Sequence, residues 1–143
     1  MMEYKGYRVP QDLGLLAGLF FLLVYYSLFL QFLPVPRLIE SARRNLRRES
    51  LREADSSDKE NLNKIWRGCS FILNRLFRTS KPCLRRTLVL HRWCCKQNIA
   101  STVVVGFLKN GRELKGHSWL LVNGEPFGER PADLERYTQV LGE

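Results

Sequence analysis

Residues 13–33, "LGLLAGLFFLLVYYSLFLQFL", run for 21 positions without a charge. A stretch of that kind must leave water, either into lipid or into the core of a fold, and it constrains the chain more than any other feature. Its length matches the roughly 20 residues that a helix needs to cross the hydrocarbon core of a bilayer. Pro34 and Pro36 end it, Arg37, Arg43, Arg44, Arg47 and Arg48 follow it, and Lys5 and Arg8 precede it. The heavier positive flank is C-terminal, so a spanning helix predicts a cytoplasmic location for residues 37–143. The run is too long for a cleavable signal peptide, and no small-x-small site follows it. The other outlet is a long helix buried against the domain or a partner. Tyr25, Tyr26, Ser27 and Gln31 suit either.

Residues 37–61, "RLIESARRNLRRESLREADSSDKEN", change character completely. They read as a charged juxtamembrane helix, then a linker at the Ser/Asp-rich break over 55–58. Its arginines suit anionic lipid or simply a solvated helix face. The chain thus divides into a hydrophobic helix over 1–36, a charged helix and linker over 37–61, and a core over 62–143. With 143 residues there is room for one domain and a modest core. The formal charge of +9, from 23 Lys and Arg against 14 Asp and Glu, favours acidic partners. No basic cluster is interleaved with aromatics, so nucleic acid is not the expected partner.

The four cysteines, Cys69, Cys83, Cys94 and Cys95, do not form a disulfide framework and point to a reducing compartment such as the cytoplasm. Cys69 falls in the apolar stripe of "LNKIWRGCSFILNRLF" and reads as a core residue. His91, Cys94 and Cys95 suggest zinc, but successive helical side chains point about 100° apart and cannot converge. Packing of Leu84, Leu88, His91 and Cys95 along one face explains them better, and no metal or cofactor is expected. Cys83 differs. It follows "RTSKP", where Thr79 and Ser80 suit a helix cap and Pro82 suits the first turn. A cysteine opening a helix over 83–96 has its thiolate stabilised by free backbone N–H groups and the helix dipole. Lys81, Arg85 and Arg86 add positive potential.

After Asn98 the pattern changes to β-branched and apolar in "IASTVVVGFLK". Asn110-Gly111 and Asn123-Gly124 are turn signals on either side of a second strand, "HSWLLV", over 117–122. Helix followed by antiparallel meander predicts an α+β unit. His117 then lies on the sheet against which the helix starting at Cys83 packs, and a thiolate nucleophile needs such an imidazole. Glu125, Glu129 and Asp133 are the acids in range to orient the ring, with Glu129 the best placed.

Residues 62–141 resemble the transglutaminase-like leader peptidase of lasso peptide biosynthesis, the C-terminal part of that family's B protein. "CLRRTLVL" resembles its nucleophile helix, "GHSWLLVNGEP" its Gly-His-Ala-Trp strand and following turn, and "RYTQVL" its closing segment. "FLPVPRLIESARR" is similar to its leucine-rich lead-in. The resemblance implies a transglutaminase/papain-like cysteine peptidase core, a nucleophile helix on a small antiparallel sheet. It also implies Cys83 as nucleophile, His117 as general base and acid, and Glu129 as orienting acid, with Asp133 the alternative. Gly128-Glu129 departs from the usual Asn-Asp, and Ser118 replaces the usual Ala. The implied substrate is a ribosomally made lasso precursor peptide. The implied partners are a separate leader-recognition protein in trans and an ATP-dependent cyclase that uses the freed amine. An acyl transferase with the same triad, and a non-catalytic membrane-anchored adaptor, are the competing readings.

Overall fold

The computed structural model describes residues 3–4, 7–8, 13–44, 46–77 and 83–142. A two-residue pairing of β1 (Glu3–Tyr4) with β2 (Tyr7–Arg8) precedes helices α1 (Leu13–Phe29) and α2 (Val35–Arg43). A 3₁₀ turn at Arg48–Ser50 leads to α3 (Ser56–Ile72), which ends in a π-helical turn, Leu73–Phe77. Then come α4 (Cys83–Lys96), β3 (Ser101–Asn110), β4 (Glu113–Val122), β5 (Glu125–Pro126), α5 (Pro131–Leu134) and β6 (Thr138–Gly142). The last four strands form an antiparallel sheet in the order β5-β4-β3-β6. The architecture is α+β, as the pattern of the sequence predicts.

Strand alternation sorts the sheet's side chains into two layers. Val103 pairs across from Leu120, and both are buried with Leu88, Leu90 and Leu62 of the helices. The next pair, Val104 and Trp119, points the other way and packs with Leu134 of α5 and Tyr137. Both turns are the ones that their residues favour. Gly111 has φ +64° at the first position of the β3–β4 turn, and Asn123 and Gly124 both have positive φ in the β4–β5 turn. Asn123 also clamps the chain ahead of α3, accepting from Ala54 N at 2.9 Å and donating to Ala54 O at 3.0 Å.

The apolar segment departs from the spanning expectation. Its helix stops at Phe29 after 17 residues, and among the described residues no helix is long and apolar enough to cross a membrane. Leu19, Leu23 and Tyr26 are instead buried in the main core. Each such burial contributes about 1.5–3 kcal/mol, enough together to hold α1 on the domain.

Two boundaries also move. The Ser/Asp-rich stretch expected as a linker is the start of α3: Asp55 caps it by accepting from Asp58 N at 2.9 Å, and Asp58 returns the bond from Asp55 N at 3.0 Å. Arg52 then grips Asp58 through its two terminal guanidinium nitrogens, holding its carboxyl down at about 2. The core expected to begin at residue 62 thus begins earlier, and its buried cluster includes Leu38 and Ile39 of α2. The strand expected over 117–122 begins at Glu113, because β3 and β4 stay paired down to Asn110 and Glu113.

Candidate active site

Cys83 is the first residue of α4, as its place after "RTSKP" predicts; Thr79, Ser80, Lys81 and Pro82 themselves lie outside the described residues, as does Lys5. The helix start meets the sheet at the middle of β4. There β5 pairs only with Leu121 and Val122, so the edge of β4 is open at Ser118. The sulfur of Cys83 takes hydrogen bonds from the His117 ring and from the backbone N–H groups of Ser118 and Leu84. Burial pushes the thiol up, but those donors outweigh it and leave the group below its ordinary range.

His117 is held on both sides. Its Nε2 lies 2.8 and 2.7 Å from the two carboxylate oxygens of Glu129, which leaves Nδ1 as the nitrogen facing the sulfur. The bond to Cys83 and then the bond to Glu129 raise the imidazole to about 9. A thiol held below its ordinary value beside an imidazole raised to about 9 favours the thiolate–imidazolium form of the pair over the neutral one. The ring is further fixed by Trp119 and Tyr137, whose ring centroids stand 5.8 and 5.4 Å away. Gly106, across from His117, makes that possible, since a Cβ there would come within 3.0 Å of Tyr137.

The other acids of the sequence reading do not reach the ring. Asp133 is paired with Arg130 at 3.0 Å on the surface, and Glu125 is exposed on β5 beside Val122. Of the cations expected near Cys83, Arg85 donates to Ser27 Oγ at 2.9 Å. Arg86 turns inward. Its guanidinium lies 3.7 Å over the Trp66 ring, donates to Ser70 Oγ at 3.0 Å, and acts electrostatically on Glu129 and Cys83.

In the remaining cysteines burial dominates, although Ser101 bonds the Cys94 sulfur and His91 lies beside that of Cys95. Burial pushes Cys69 and Cys94 up to about 12 and Cys95 up to about 11. His91 is buried with Nδ1 2.8 Å from Ser101 Oγ and is pushed down to about 4 by burial. It packs against Cys95, as the helix stripe predicts, with Sγ 3.5 Å from Nε2.

Trp66 and Gly128 are the site residues that local sequence patterns miss. Gly128 precedes Glu129 with φ +75°, and the Trp66 ring packs where its Cβ would be, at 3.1 Å. This accounts for the glycine: the ring occupies the space of a side chain. Gly128→Ala is therefore expected to cost about 1–3 kcal/mol, from left-handed backbone and overpacking together. Urea denaturation checks the cost, and a drop in rate at saturating substrate would show that Glu129 has shifted with it.

A family model for the transglutaminase-like superfamily matches residues 28–142. No curated protein matches the chain, and no solved structure does.

Proposed function

We propose a function from one premise: the chain belongs to the transglutaminase-like superfamily. That membership supports cysteine peptidase or acyl-transfer chemistry in general. The finer reading is a leader peptidase, which hydrolyses the bond between the leader and the core of a ribosomally made lasso precursor peptide. The hydrogen-bonded series Cys83–His117–Glu129 carries it, because it supplies a nucleophile, a proton carrier and an orienting anion in one line. The substrate class rests on the likeness of "CLRRTLVL", "GHSWLLVNGEP" and "RYTQVL" to that peptidase's segments.

In this mechanism the Cys83 thiolate attacks the scissile carbonyl carbon, and its electron pair moves onto the oxygen. The tetrahedral species collapses as the C–N bond breaks. His117 gives its proton to the departing amine, which leaves as the new N-terminus of the core peptide. The acyl half remains on Cys83 as a thioester. Water then attacks with neutral His117 as base, releasing the leader acid and restoring the ion pair. Glu129 stays ionised throughout and holds the imidazolium in line. The freed amine suits an ATP-dependent cyclase acting next, and the precursor is delivered by a separate leader-binding protein.

The test is mass spectrometry of a cognate precursor incubated with this chain and the leader-binding protein. The expected products are leader acid and core amine, summing to precursor plus one water. A leader joined to an added amine would move the function to acyl transfer. Intact precursor, with all components folded, would remove the peptidase reading.

A further inference from the structure

The inner face of α1 is accounted for by Leu19, Leu23 and Tyr26, but its outer face is apolar too and is left bare. Leu13 is 62% exposed, Phe21 69%, Leu28 53% and, in the turn beyond the helix, Phe32 79%. On α1, positions 13, 17, 21 and 28 recur at helical spacing, so these side chains form one stripe rather than scattered points. Beside the stripe runs a groove of about 350 Å³ between α1 and α4. It is open because Gly14 and Gly18 put no side chain into it, and Arg92 and Lys96 of α4 line it.

Charge decides what covers such a face. Residues 1–100, which include every long helix, hold 18 of the 23 Lys and Arg but only 8 of the 14 Asp and Glu. The remaining residues, mostly the sheet, hold 5 basic and 6 acidic residues. A second copy would bring the same positive layer against its own kind, so like-charge repulsion opposes self-association through α1. A flat anionic surface with an apolar interior matches both properties at once.

We propose that α1 lies in the interfacial plane of an anionic lipid bilayer. Leu13, Phe21, Leu28 and Phe32 sink below the headgroups, while the exposed Lys96 stands at the level of the phosphates. The helix does not span, because its other face is the wall of the protein core. This surface operates whatever the catalytic site does, and its test reads lipid binding rather than cleavage.

The experiment is flotation of the full chain with vesicles of phosphatidylcholine containing phosphatidylglycerol, and with phosphatidylcholine alone. The wild-type protein is expected to float with the anionic vesicles and at least about tenfold less with the neutral ones. Phe21→Gln with Phe32→Gln is expected to lower anionic-vesicle binding at least about tenfold. Lys96→Glu, at an exposed position lining the groove, is expected to lower it about fivefold or more. Circular dichroism confirms that each variant is folded, and the lysine variant stands by itself if the double variant is not. Wild-type protein that ignores anionic vesicles, or folded variants that float as well as wild type, would overturn the proposal. So would a dimer that the double variant abolishes without any flotation, which would give the face to a second copy.

Discussion

Cys83→Ala is expected to reduce precursor cleavage to background, a loss of about 10⁴-fold or more in kcat, while unfolding as the wild type does. The loss is large because no other sulfur can substitute. Cys69, Cys94 and Cys95 are each buried and held as neutral thiols by that burial. Their alanine variants are expected to keep the rate, apart from the ordinary cost of a small core cavity. Cys83 alone has three hydrogen-bond donors on its sulfur and stands at the start of a helix. Iodoacetamide supplies the direct measurement. One fast-reacting cysteine is expected at pH 6–7, mapped to Cys83 by peptide mass, with the others reacting only on unfolding. A Cys83→Ala protein that cleaves at the wild-type rate would end the nucleophile assignment, and with it the enzyme mechanism.

The parts of this site that were legible in the sequence share a property: each is signalled within a few residues. Cys83 was found from the five residues before it, and the hairpin carrying His117 from Asn110-Gly111 and Asn123-Gly124. Glu129 is preferred over Asp133 and Glu125 as the acid best placed past that hairpin to face the ring, and the resemblance implies the same residue. The misses came where long-range packing decides. The apolar run showed only that its residues leave water; whether they enter lipid or protein depended on α3 and α4 being present to receive Leu19, Leu23 and Tyr26. The α3 start reads as a break because its Ser and Asp residues suit a loop as well as a helix cap. Its strength comes from Arg52, which lies outside the helix. The assembly of Arg86 on Trp66 on Gly128 joins three distant stretches of chain and has no local pattern to betray it.

Glu129→Gln is expected to lower kcat at least about tenfold and to move the alkaline limit of activity to lower pH. The direction follows from what Glu129 does to His117. Its carboxylate is the second cause, after Cys83, of the imidazole being raised to about 9. Glutamine can still accept from Nε2–H through its amide oxygen, so the ring keeps its position. The anion that favoured the protonated ring is gone, and the raised value falls back toward the ordinary 6.5. In wild type the acid that protonates the leaving amine is lost only as pH rises through about 9; in the variant it is lost earlier. Stability does not separate the roles: the raised His117 loses its contribution as pH rises toward about 9, while the lowered Cys83 thiol gains one with the opposite sign over the same interval. The pH limit of activity is therefore the readout, since a packing defect would lower the rate without moving that limit. A variant with wild-type rate and pH limit would leave the imidazole without an orienting acid, because Asp133 and Glu125 are both turned elsewhere.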